Sequence, residues 1–188
     1  MMNASRIVVL SLIATAGLAA TACATSPMED ASALIGIVYT ARMPSGPIAA
    51  RPFCTHEGGG MLVIDDAFSD EWAFASIDCR GRTIIALQRF VEAGDGHVTW
   101  HILDTLLLPP YQNDYVPDQP HALRLFDTEN CELDGRQERY FIALVRWGER
   151  DRIDWRTGVE QAWDFDVARG RIVPLSPKRV VCYRPDPP

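Results

Sequence analysis

Alternation of apolar and polar positions is the main signal along this chain. It is clearest over residues 97–108, where Val98, Trp100, Ile102, Leu106 and Leu108 fall on one face of an extended segment. It returns over 159–167, with Val159, Trp163, Phe165 and Val167 on one face and Glu160, Asp164 and Asp166 pointing away. Shorter apolar runs at 34–40, 61–64, 172–175 and 180–183 also read as strands, and 168–171 reads as a hairpin turn. Over 66–76, Phe68, Trp72 and Ala75 recur at helical spacing behind acidic residues, which predicts a short helix. Pro44, Pro47, Pro52 and Gly58-Gly59-Gly60 predict loop over 42–60, and four prolines predict loop over 109–120.

The expected fold is therefore mainly β or α+β. It is one small antiparallel β-rich domain over 34–184 with one or two short helices, ending in a tail at 185–188. No alternating βαβ pattern points to a nucleotide-binding sheet, and no cofactor is expected.

One internal echo stands out. Cys79-Arg80-Gly81-Arg82 leads into Ile85-Ala86-Leu87-Gln88-Arg89-Phe90; Cys131 with Gly135-Arg136 leads into Ile142-Ala143-Leu144-Val145-Arg146-Trp147. Each is followed by a further strand, Trp100 to Asp104 and Trp163 to Asp166. Two similar hairpins explain the match at least as well as a duplication, and both segments read as strands.

The first residues follow another pattern. Arg6 precedes an apolar or small run over 7–22, closed by Ala20-Thr21-Ala22-Cys23. That is the order of a secretory signal, and the run is too short and too rich in Ala, Ser and Thr for a membrane span. Ala20-Thr21-Ala22-Cys23 resembles the lipobox of bacterial lipoproteins of the proteobacterial type, with Ala20 where Leu is commonest. The resemblance implies a signal peptide at 1–22, lipidation of Cys23 with acyl chains such as palmitate, and a tether over 23–33. With Ala24 after the cysteine, it implies an outer-membrane destination facing the periplasm. A plain signal peptide cut at Ala22 or Ala24 is the alternative.

Charge narrows the partners. Of 18 Lys and Arg, 17 follow Ala22, as do all 25 Asp and Glu, so the chain beyond the leader carries −8. Such a balance argues against nucleic acid, whose phosphates need a concentrated basic face. With Cys23 assigned to lipid, Cys54, Cys79, Cys131 and Cys182 remain, an even set suited to two disulfides in an exported chain. Three connectivities are possible; Cys54 with Cys79 and Cys131 with Cys182 is the favoured one, because each pair would staple one half of the chain. No CxxC or CxxH spacing suggests zinc.

The candidate chemistry is sparse. His97, His101, Asp104 and His121 form the nearest approach to a metal set, but four residues of strand span about 13 Å and cannot share one ion. His56-Glu57-Gly58-Gly59-Gly60 could be a glycine-rich oxyanion loop, yet no nucleophile elbow accompanies it. Asp65, Asp66, Asp70 and Glu71, and separately Asp164 and Asp166, offer paired carboxylates that an acidic chain would carry in any case. Aromatic residues on polar segments are the better contact candidates: Tyr111 and Tyr115 on the proline-rich loop, and Trp147 and Trp155 in the charged stretch 146–156. The leading expectation is a lipid-anchored, non-enzymatic module that binds an envelope protein or cell-wall component. A hydrolase using Asp104, Asp164 or Asp166 is one alternative; an inhibitor or immunity-type protein acting through 109–120 is another.

Overall fold

The computed structural model describes residues 31–41, 46–94, 97–112, 122–137, 139–146, 148 and 150–184. Six strands come first: β1 (Val38–Ala41), β2 (Gly46–Ile48), β3 (Arg51–Ile64), β4 (Ala67–Cys79), β5 (Arg82–Gly94) and β6 (His97–Leu107). Seven follow: β7 (Leu123–Asp127), β8 (Cys131–Leu133), β9 (Phe141–Arg146), β10 (Arg152–Ile153), β11 (Val159–Asp166), β12 (Arg171–Leu175) and β13 (Val180–Tyr183). A 3-10 turn at Pro177–Arg179 leads into β13.

The strands form three antiparallel sheets. The first runs β1-β6-β5-β4-β3-β2 and curls until its two edge strands approach each other. The second runs β12-β11-β9-β7, and the third β10-β13-β8. One core fills the inside of the curled sheet, with Ala31 and Leu34 from the preceding turn plugging it beside Ile77, Ile84 and Ile102. A second lies between the six- and four-stranded sheets, around Leu62, Leu87, Ile142, Leu144 and Phe165. The third lies between the four- and three-stranded sheets, around Phe141, Val145, Ile153 and Val180. Each fully buried Leu, Ile or Phe in these layers contributes about 1.5–3 kcal/mol relative to exposure.

This layering explains the echo. β5 and β9 are interior strands covered on both faces, so each reads as an unbroken apolar run. Ile85 and Leu87, like Ile142 and Leu144, enter the shared core between the two sheets. Ala86 and Ala143 turn the other way, into the curled-sheet core and the outer core respectively.

Two expectations fail here. The predicted loop over 42–60 is strand from Gly46 to Ile48 and again from Arg51. Pro47 sits on the edge strand β2, and Pro52 precedes the first β3–β4 partner pair at Cys54, so neither removes an interior ladder bond. Gly59 is required by a close approach: a Cβ there would fall against the Phe74 carbonyl oxygen of β4. The predicted helix over 66–76 is the body of β4. Its alternation serves two cores at once, with Ala73, Ala75 and Ile77 inward and Trp72 and Phe74 on the opposite face. Pairing with both β3 and β5 overrides the helical spacing.

The face assignments are also corrected. On β6 the pairing passes from Ile102 opposite Gln88 to Asp104 opposite Leu87, leaving Leu103 as a bulge. A bulge exchanges the faces beyond it, so Leu107 joins Trp100 and Ile102 while Leu106 and Leu108 enter the core between sheets. On β11 an irregularity between Val159 and Gln161 does the same, sending Val159 and Ala162 to one core and Trp163, Phe165 and Val167 to the other. Asp164 consequently does not face solvent; it is 5% exposed.

The disulfides join Cys54 to Cys79 and Cys131 to Cys182, the expected pairing. Each links directly opposed residues of neighbouring strands, β3 with β4 and β8 with β13.

Candidate binding site

The acids proposed for catalysis are each held in a structural bond. Asp104 Oδ2 accepts the backbone N–H of Ile172 at 2.8 Å. Asp166 accepts the N–H of Arg169 at 3.1 Å and closes the hairpin between β11 and β12. Asp164 pairs with Arg139 at 2.6 Å, and its second oxygen is buried without a hydrogen-bond partner among the described residues. Burial pushes this carboxyl above its ordinary range, against the opposing pull of Arg139.

The remaining polar candidates are similarly dispersed. Asp65 and Asp66 have positive φ, 49° and 62°, and make the two-residue turn between β3 and β4. Glu71 pairs with Arg89 across β4 and β5. His97 and His101 both lie on β6, and no group of three or more potential metal ligands comes together among the described residues. His56, Glu57 and the three glycines belong to β3 rather than to a loop. Tyr111 is half-buried and packs against the core between the six- and four-stranded sheets. Cys23, Tyr115, His121 and Trp147, with most of the 109–120 segment, lie outside the described residues.

Among the described contact candidates, Trp155 is the one that the fold presents to solvent, 43% exposed. A self-bonded turn holds it out. The carbonyl of Asp154 accepts the N–H groups of Thr157, Gly158 and Val159, while the Thr157 hydroxyl accepts the N–H of Asp154 at 2.8 Å. The Asp154 carboxylate accepts the Arg156 N–H at 2.9 Å, the main reason its pKa lies below the ordinary value. Gly158 pins the turn to β9: its carbonyl accepts the Arg146 N–H at 2.7 Å, and a Cβ there would meet the Arg146 carbonyl.

Cations flank the indole. The Arg156 guanidinium lies 4.9 Å from the ring centroid and the Lys178 ammonium 5.4 Å. Lys178 is the only lysine of the chain, delivered by the 3-10 turn before β13. With Thr157 and the ion pair Arg146–Glu160 they border an open groove of about 510 Å³. On a strongly acidic protein this is a local basic, aromatic surface. Sequence spacing indicated Trp155 and Arg156 but not Lys178, which only strand pairing brings alongside.

A second concavity lies inside the curled sheet, about 250 Å³, lined by His56, Gln88, Gly59, Gly60, Met61 and Trp100 among others. His56 is 4% exposed and its Nδ1 has no hydrogen-bond partner among the described residues, a condition that costs about 1–3 kcal/mol in a buried polar group. Burial holds the imidazole below its ordinary pKa, opposed by Glu57. Gln88, also buried, accepts the Tyr39 hydroxyl on Oε1 at 2.8 Å, and burial raises the Tyr39 pKa. These residues come from separate strands, so no local motif announces them.

Comparison of the chain with protein-family models, with curated proteins and with solved structures finds no match.

Proposed function

We propose that the protein is an envelope lipoprotein, anchored through acyl groups on Cys23 at the outer membrane and facing the periplasm. There it acts as a non-enzymatic binding module for an envelope protein or a cell-wall component. The observation that carries the binding role is the Trp155 surface: an exposed indole held on a self-bonded turn between Arg156 and Lys178. Its cations fit an anionic partner, and the carboxylate-bearing peptides of the cell wall supply that chemistry. A rigid aromatic anchor on a turn that is already ordered loses little entropy on binding. The separate structural bonds of Asp104, Asp164 and Asp166 lend the hydrolase reading no support.

Two measurements test this reading. Co-sedimentation with purified cell-wall sacculi should retain the protein at low salt, release it as salt rises, and fail in the Trp155→Ala, Lys178→Glu variant. Lack of retention at low salt would overturn the cell-wall assignment. Fractionation should find the protein with membranes and the Cys23→Ala variant in the soluble periplasm; equal partitioning of the two would remove the anchor.

A further inference from the structure

The cavity inside the curled sheet lies apart from the Trp155 surface and is built differently. Every described residue lining it is uncharged, and Gly59 and Gly60 present bare backbone to it. Trp100 and Met61 supply apolar, polarizable surface. Against this apolar lining stand two buried polar side chains from different strands, His56 of β3 and Gln88 of β5. The Tyr39 hydroxyl occupies the Gln88 oxygen, so the amide N–H groups are what Gln88 can offer a ligand. His56 Nδ1 has no hydrogen-bond partner among the described residues. Buried polar groups without partners are rare, and this one belongs to a side chain that lines the cavity.

We infer that this cavity is a binding site for a small, neutral, ring-containing molecule bearing a hydroxyl group, with the hydroxyl set between His56 and Gln88 and the ring against Trp100. Size supports the ring. An apolar cavity of about 150 Å³ takes up benzene, so about 250 Å³ accommodates a substituted single ring or a compact bicycle. The polar pair supports the hydroxyl, because one O–H can donate to an imidazole nitrogen while its lone pairs accept from an amide. Whichever nitrogen carries the imidazole proton, a hydroxyl can complement it. The uncharged lining excludes carboxylates and amines, which would be desolvated without a counter-charge.

The test uses three probes of similar shape, 4-ethylphenol, ethylbenzene and 4-ethylbenzoate, titrated into the full-length protein by calorimetry and by NMR of the histidine ring signals. The expected result is saturable binding of 4-ethylphenol with Kd at or below about 1 mM. It should shift the His56 resonances, with ethylbenzene at least about tenfold weaker and 4-ethylbenzoate not binding. Val98→Trp, which fills the cavity from β6, should abolish binding, with its thermal transition showing whether it folds. The histidine shifts in the unaltered protein locate the site even if that variant does not fold. Absence of saturable binding, which would leave only water in the cavity, overturns the inference. So does binding that leaves the His56 signals in place. Equal affinity for 4-ethylphenol and ethylbenzene would refute the role of the hydroxyl.

Discussion

The carboxylate of Asp104 on β6 accepts the backbone N–H of Ile172 on β12 at 2.8 Å, tying the six-stranded sheet to the edge of the four-stranded one. Ile172 packs against the core between those sheets, so the bond holds an element whose side chain is already committed there. A hydrogen bond to a charged group contributes about 1.5–3 kcal/mol. Asp104→Ala should lower stability by about that amount, and Asp104→Asn, which keeps an acceptor, by clearly less. Urea unfolding of the two variants beside the parent protein decides it; equal losses would mean that the charge rather than the acceptor matters.

Gly59 should tolerate no side chain. Gly59→Ala forces a Cβ against the Phe74 carbonyl, so β3 and β4 must separate, and a loss of several kcal/mol is expected, in the range of severe backbone conflicts. Gly94, where a Cβ would meet nothing within 4 Å, is the control: Gly94→Ala should be neutral or raise stability by about 0.4–1 kcal/mol. Melting temperatures of both variants are the readout, and similar values would contradict the close approach.

The disulfides should differ in weight. They close loops with sequence separations of 25 and 51 residues. Chain entropy assigns these roughly 3.5 and 4 kcal/mol. Replacing Cys131 and Cys182 together by Ser should therefore destabilise slightly more than replacing Cys54 and Cys79. Denaturant midpoints of the paired variants provide the comparison, and a clear reversal of the order would show that native packing outweighs loop entropy.

Acidification should weaken the fold through His56. Its folded pKa is held below the ordinary 6.5 by burial, with Glu57 opposing. Between the two pKa values the unfolded chain binds more protons, so the stability present above about pH 6.5 is lost as pH falls through the folded value. The urea midpoint should drop between about pH 7.5 and pH 5 in the parent protein, and less steeply in His56→Gln. Parallel slopes would remove His56 as the source. Asp164 acts with the opposite sign: its raised pKa adds stability at low pH that is lost as pH rises through the folded value.

Much of the β-sheet was legible from local pattern. Alternation marked the strands over 97–108 and 159–167 and short apolar runs those over 172–175 and 180–183, while the continuous apolar runs of the echo mark β5 and β9, both interior. The runs at 42–60 and 66–76 mislead for a shared reason. Glycine, proline and helical spacing report what a segment does alone, whereas β3 and β4 are strands because each pairs with partners on both sides. The bulge at Leu103 was invisible as well, since an extra residue in one strand is defined only by the strand opposite. The candidate sites were less legible still. Trp155 could be picked out as an exposed aromatic in a charged stretch, but Lys178 beside it could not. The grouping of His56, Gln88 and Trp100 needed the curl of a whole sheet.

What the sequence by itself determined is a β-rich chain with an even set of cysteines suited to two disulfides, because alternation and cysteine parity are local or countable properties; strand pairing decides which of the three connectivities forms. What the tertiary structure decided is which face each residue takes, which acids are tied into structural bonds, and where concave surface forms. Those depend on register: one bulge exchanges every face beyond it, and pairing distant strands brings Lys178 onto Trp155 and Gln88 to the cavity that holds His56.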